Sequence, residues 1–387
     1  MTTILEHWGG LEKYYIDVAN KLNEANDLEV DIITLNDTFS LNFIKLLSIY
    51  NLKKIDQKVL FKESSAEIKR KLIKTNYIKC KNFYELRKTL NNYDVIYSKN
   101  ELLEAFIFKF FIGYRNVPQI IFGCHTSLNY PNSNSFRQNF RNFLYNGLIY
   151  KFLTSEVKAF HTINSYDFKI AKKLFPNKII FKIFNPFNFV KFKSKVNESM
   201  YKFSNDKTKI LWIGTLTYLK GTEELVKIIK NLKSELNYKD KIEWIIAGNG
   251  PDLNLIQNLI EQYPDIKYLG FIDYEKVPSL INSVDIMIST SKVETFSFTT
   301  IEANSLNKPV FSFKTSGQKD IIEDNINGKI TNSTEELIKE IKRYVDKCYN
   351  FNNISTFISK KFDEKVIYSD LEKMFKSIAE KNNNGKN

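Results

Sequence analysis

The chain has 387 residues, 43% of them apolar and 26% charged, which supplies two buried cores and excludes wholesale disorder. No run approaches the roughly 18 uncharged apolar residues that a membrane-spanning helix needs. The net charge of +13 is lopsided: residues 1–200 hold 30 basic and 18 acidic side chains while residues 201–387 hold 27 and 26, so the halves meet different partners, and the basic one an anionic partner.

In chain order, residues 1–10 lack the basic start and apolar core of a secretory signal, and a cytoplasmic protein is expected. A first strand has room only over residues 2–6, ahead of Trp8-Gly9-Gly10, and a helix is predicted from about 11 to 24. Strands follow over 29–34, 95–98, 119–124 and 159–164. Between the first two, the apolar run 41–52 leads into Lys53, Lys54, Lys58, Lys62, Lys69, Arg70, Lys71 and Lys74. An apolar helix beside a polybasic run is the composition of a surface lying on anionic lipid, which predicts a peripheral protein on the inner face of the plasma membrane. In residues 136–152, Phe136, Phe140, Phe143, Leu144 and Leu148 recur at helical spacing, which predicts a stripe facing the core. Residues 183–186 end a strand, and the polar stretch 194–207 reads as a linker.

Beyond it, short apolar runs over 210–213, 243–247, 267–271, 284–288 and 309–313 read as buried strands. Helical patterns over 223–235, 253–262, 277–281, 299–306 and 334–347 lie between or after them. This alternation predicts a parallel, doubly wound sheet with its ligand at the carboxyl ends of the strands. The expected division is an N-terminal domain over 1–193, the linker, a C-terminal domain over 208–365, and a last segment, 366–387, holding a helix that crosses back to the first domain and a disordered tail. Cys80, Cys124 and Cys348 stand apart with no C-x-x-C spacing, and no Asp-x-Asp accompanies the three histidines; neither a disulfide framework nor a bound metal is expected.

The sharpest motif runs from Ser291 to Ala303, after the strand at 284–288 and into a helix. A helix starting near Ser297 aims free N–H groups and a positive dipole end at the strand ends, a cradle for a diphosphate. Glu302 then sits about 7 Å into the helix at 1.5 Å per residue, where a carboxylate can take both hydroxyls of a ribose, and Glu294 in the loop can reach a second polyol. The alternative for each glutamate is a solvated surface charge.

With Gly214 to Gly221, Ala247-Gly248-Asn249-Gly250-Pro251, Tyr268 to Phe271, Val284-Asp285, Pro309-Val310 and Asn327-Gly328 in order around it, the motif resembles the retaining glycosyltransferases of the GT4 family. These are GT-B folds: two Rossmann-like, doubly wound α/β domains facing a central cleft. The resemblance implies transfer of a hexose-type sugar from a nucleotide diphosphate sugar, with a UDP or GDP donor and no cofactor, to a hydroxyl of a lipid-linked or polysaccharide acceptor. It gives Glu302 the ribose, Glu294 the transferred sugar, the backbone of Phe296, Ser297 and Phe298 the diphosphate, and Lys220 the phosphate charge. It places Gly9 and Gly10 against the donor phosphate and His125 beside the transferred sugar. The family's usual Arg is Thr215 here, its usual Gly is Ser297, which could crowd the phosphate or cap the helix, and its commoner Glu is Asp320. The implied transition state is oxocarbenium-like, with no protein nucleophile or general base assigned. A sugar-nucleotide epimerase or a soluble glucan or disaccharide synthase is the alternative within the same fold. A nucleic-acid partner is not expected, since the basic half shows no recognisable binding module.

Overall fold

The structure, a computed structural model, describes residues 10–24, 28–35, 75–99, 102–128 and 136–383. Contacts divide the chain into two units. The first comprises Met1–Ile163, Asp167–Phe184 and Ile367–Asn387; the second, Asn164–Tyr166 and Asn185–Val366.

In the first unit the helix Gly10–Glu24 precedes a parallel pair, β1 (Ile32–Leu35) and β2 (Tyr77–Cys80). A four-stranded parallel sheet follows in chain order: β3 (Val95–Lys99), β4 (Gln119–Cys124), β5 (Ala159–Thr162) and β6 (Ile179–Lys182). Strands covered on both faces read as unbroken apolar runs, and β4 is buried from Ile120 to Cys124. The last helix, Glu364–Asn383, buries Ile367, Leu371, Met374 and Ile378, a three-to-four-residue spacing that gives it one packed face.

The second unit holds six parallel strands: β7 (Thr208–Ile213), β8 (Ile242–Ala247), β9 (Lys267–Tyr268), β10 (Ile286–Ser289), β11 (Val310–Phe313) and β12 (Gly328–Thr331). Their order is β12-β11-β10-β7-β8-β9. Counted from β7 this is 3-2-1-4-5-6, the Rossmann order, and it reverses between β7 and β10. The core of this sheet is aliphatic around Trp212 and Trp244. The main stretch of the unit begins at Asn185, ahead of the polar stretch 194–207, with Phe187, Phe189 and Phe192 all buried.

Two expectations are corrected. The strand predicted over 267–271 stops at Tyr268, because Gly270 turns at φ 66° and Phe271 is left 74% exposed. The stripe in 136–152 does not face the core. Gly147 breaks it into helices Phe136–Asn146 and Leu148–Leu153, which bury Tyr145, Tyr150 and Leu153 instead and leave Phe140, Phe143 and Leu148 exposed, while Leu144 packs against the core. Helical spacing identifies a face without saying which medium it meets. No helix among the described residues is long and apolar enough to cross a membrane.

Candidate functional site

In a Rossmann sheet the crevice for a ligand opens at the carboxyl ends of the strands where the order reverses. Here those strands are β7 and β10, and the loops after them are locked together. The turn Tyr218–Lys220 ends at Gly221, whose φ of 72° and position leave no room for a side chain: a Cβ would lie 2.0 Å from the Thr290 carbonyl oxygen. The Thr290 hydroxyl donates to the Lys220 carbonyl at 2.9 Å and accepts from the Trp212 indole at 2.9 Å. Held this way, the Lys220 ammonium forms an ion pair with the Glu294 carboxylate, joining the two loops at the switch point. Beside it Lys292 pairs with Glu224 at 3.0 Å and stands 3.4 Å from the centroid of the Tyr218 ring. Gly221→Ala should therefore shift both loops: about 2 kcal/mol or more of stability is expected to be lost, with weaker nucleotide binding, read by urea unfolding and titration calorimetry.

The helix Phe298–Ser305 begins at the same end of the sheet, with Ser297 as its N-cap. Ser297 sits at φ −99°, so a side chain is accommodated without strain. Its hydroxyl does not cap the helix backbone; it meets the hydroxyls of Thr300 at 3.0 Å and Thr299 at 3.2 Å. The first-turn N–H groups are thus left to an outside acceptor, which is what an anion site at a helix start requires. Thr300 donates onward at 3.0 Å to Gln318, whose side-chain nitrogen is buried without a hydrogen-bond partner. Phe296 is buried, its ring 5.1 Å from that of the more exposed Phe298.

Neither glutamate is a solvated surface charge. Glu302, fifth in the helix, is 3% exposed, and the Glu294 side chain 12%. The Glu294 carbonyl accepts from the Gly317 N–H at 2.7 Å and the Ser316 hydroxyl at 2.8 Å, which fixes the loop that carries it. Thr215 is exposed, and both oxygens of Asp320 accept from Ser165 of the same unit, each at 2.6 Å.

In the first unit, the helix that begins at Gly10 lays Tyr14 against His125, ring centroids 4.4 Å apart. His125 follows β4 and shares the Tyr97 hydroxyl with His161: 2.9 Å to His125 Nε2 and 2.6 Å to His161 Nδ1. His161 Nε2 is 2.8 Å from the Ile183 carbonyl, which can only accept. The proton positions follow from that end. Burial holds His161 neutral, down at about 4 against the pull of the Ile183 bond. Its hydrogen is therefore on Nε2, Nδ1 accepts the Tyr97 O–H, and the Tyr97 oxygen accepts Nε2–H of His125. Burial first, and His161 second, hold His125 well below the ordinary histidine range, so His125 is a neutral imidazole with a bare Nδ1. The loop after it is clamped: Asp167 accepts the Leu128 N–H at 2.9 Å and the Ser127 hydroxyl at 3.1 Å, and Arg141 donates to the Ser127 carbonyl at 2.7 Å. Tyr97→Phe strands a donor on His125 and an acceptor on His161. It is expected to cost about 1–3 kcal/mol per stranded group in chemical unfolding; an unchanged midpoint would mean the bridge contributes nothing.

Among the residues singled out from the sequence, Lys220, Glu294, Phe296, Ser297, Phe298 and Glu302 come together in the second unit; Gly10 starts the first unit's helix, whose Tyr14 packs on His125. Gly9 and the basic run Lys53, Lys54, Lys58, Lys62, Lys69, Arg70, Lys71 and Lys74 lie outside the described residues. Tyr97, His161, Asp167 and Lys292 were not singled out. Tyr97 lies 28 and 64 residues from the histidines it joins, and no local pattern announces such a contact.

Comparison with known proteins agrees with the second unit's geometry. The sequence profile of glycosyl transferases group 1 matches residues 195–353. The glycosyltransferase MJ1069 of Methanocaldococcus jannaschii is 29% identical over 188 residues, 46% of this chain and 47% of that one. The GPI3 subunit of a phosphatidylinositol N-acetylglucosaminyltransferase of Saccharomyces cerevisiae is 25% identical over 203 residues, 52% of this chain and 41% of that one. The chain thus spans about half the length of the curated relatives it matches. A solved structure of Anabaena Alr3699/HepE in complex with UDP superimposes with a TM-score of 0.70 over 97% of this chain and 98% of that one, at 15% identity, which establishes a shared fold. Residues 195–353 thus match the glycosyl transferases group 1 family, within a chain that shares the fold of the HepE structure.

Proposed function

We propose that the chain transfers a hexose-type sugar, with retention, from a nucleotide diphosphate sugar to a hydroxyl of a lipid-linked or polysaccharide acceptor. The observation that carries this is the Lys220–Glu294 ion pair across the switch point, with the free end of the helix Phe298–Ser305 beside it and Glu302 one turn further in. The diphosphate takes the N–H groups at Phe296–Phe298, the ribose diol takes Glu302, and Glu294 takes hydroxyls of the sugar. Lys220, paired with Glu294 before the donor arrives, is a movable point charge that can follow the phosphates. His125, neutral, carries a bare Nδ1 that can accept a hydrogen bond from a hydroxyl.

In the transfer itself the bond from the anomeric carbon to the diphosphate oxygen breaks. The acceptor oxygen bonds to the same face of that carbon, and its proton passes to the departing diphosphate. The protein supplies position and charge complementarity to the leaving group. A lipid-borne acceptor fits the basic first half and the phosphatidylinositol named for the GPI3 relative. Incubation with UDP- and GDP-sugars and vesicles containing phosphatidylinositol and diacylglycerol, with NMR of the products, tests the reading. A glycolipid with the donor's anomeric configuration is expected. An epimerised nucleotide sugar, or a free disaccharide with no lipid product, would assign the protein to the alternative activities.

A further inference from the structure

The corrected stripe leaves a surface that the sugar chemistry does not use. The helices Phe136–Asn146 and Leu148–Leu153 and the π-helical turn Phe108–Ile112 have apolar side chains on both sides. Tyr145, Tyr150, Leu153, Phe108 and Ile112 form core, whereas Phe140, Phe143, Leu148, Ile149, Phe152 and Phe110 are exposed by 52 to 84%. The turn and the second helix form one surface, since the Phe110 and Phe152 rings are 6.4 Å apart. Phe143 stands just before the Gly147 break and Leu148 just after it. Large apolar groups left exposed in adjoining segments mark a surface that something covers.

Charge says what covers it. Residues 105–155 contain Lys109, Arg115, Arg137, Arg141 and Lys151 and not one Asp or Glu. Lys109 stands 4.7 Å over the Phe152 ring, Arg115 is 90% exposed along its side chain, and Lys151 is exposed beside Phe152. Arg141 is turned inward to the Ser127 carbonyl and the Tyr145 ring, so it belongs to the fold. Glu156, past the end of the second helix, lies 3.6 Å from Lys109 and 3.9 Å from Arg115.

We infer that this face of the first unit docks on an anionic lipid bilayer, with Phe143, Leu148, Ile149 and Phe152 entering the headgroup boundary and Arg115 and Lys151 reaching lipid phosphates. Aromatic rings and long basic side chains partition to that level of a membrane, and no described helix is able to span it. A second copy of the chain is the weaker occupant, because apposing two such faces brings Arg115 and Lys151 against like charges. The inference rests on the proposed lipid-borne acceptor only for its purpose, and its test does not use sugar transfer.

That test is flotation of the full chain with vesicles of phosphatidylglycerol and phosphatidylcholine, and with phosphatidylcholine alone, at low and high salt. The wild type should float with the anionic vesicles and lose most of that binding in high salt. Phe143→Ser/Leu148→Ser/Phe152→Ser should reduce the floated fraction at least tenfold, with UDP titration and the unfolding midpoint unchanged. A wild type that stays at the bottom overturns the inference. So does a triple variant that floats undiminished, which would assign binding to the run from Lys53 to Lys74. So does a dimer in sedimentation velocity that the triple variant dissociates while vesicles bind neither. Flotation as expected in a protein that transfers no sugar would overturn the proposed function and leave this surface standing.

Discussion

Glu302→Ala should reduce affinity for a nucleoside diphosphate by about 100-fold. A carboxylate taking both hydroxyls of a ribose makes two charge-assisted hydrogen bonds of about 1.5–3 kcal/mol each, and about 2.7 kcal/mol is a factor of 100. Alanine also leaves a void at a position that is 3% exposed, so the informative partner is Glu302→Gln, which keeps the volume and an acceptor oxygen. The glutamine variant should unfold at the wild-type midpoint and lose about tenfold in affinity for UDP or GDP in titration calorimetry. Loss of stability in the glutamine variant without loss of affinity would make Glu302 a packing residue and remove the ribose site.

The second large effect is on stability against pH. An unfolded histidine titrates near 6.5 and His161 in the fold at about 4, so between these values the unfolded chain binds the extra proton. Stability from this group is complete above about pH 6.5 and is lost as pH falls towards 4. The full span corresponds to about 3 kcal/mol at 1.36 kcal/mol per unit. His125, lowered for the same reason, acts in the same direction, and the two share the Tyr97 hydroxyl, so the acid limb belongs to the pair. Urea unfolding of the wild type at intervals from pH 7.5 to 4.5 should show stability falling with acid. In His161→Gln, which can still donate to Ile183 and accept from Tyr97 but cannot take a proton in this range, the slope should shrink by about one proton's worth. An equally steep slope in both proteins would place the titrating groups elsewhere.

The second unit was legible because its strands are buried on both faces. β8 is buried over its whole length and appears in the sequence as an apolar run, and the helix at 253–262 lies where its periodicity places it. β12 is not legible because Gly328-Lys329-Ile330-Thr331 carries no such run, and the end of β9 is not, because nothing local says that Phe271 turns to solvent. The loop from Ser291 to Ser297 could be read because its chemistry is continuous in the chain. The ion pair between Lys220 and Glu294 could not, since it depends on β7 and β10 being neighbours across 74 residues. The histidine arrangement of the first unit needs three separate strands and a helix to meet. The exposed stripe failed for a different reason: the tyrosines that form core and the phenylalanines that meet solvent share the same two helices, and both sets are apolar.

A crystal structure of the protein with UDP or GDP bound is the most direct measurement. The pyrophosphate should lie within hydrogen-bond distance of the backbone N–H groups at Phe296–Phe298, the ribose hydroxyls should lie on Glu302, and the Lys220 ammonium should have turned from Glu294 to the phosphates. A nucleotide bound elsewhere, or one seated at these loops with Glu302 making no contact to it, would contradict the assignment of this site to an activated sugar.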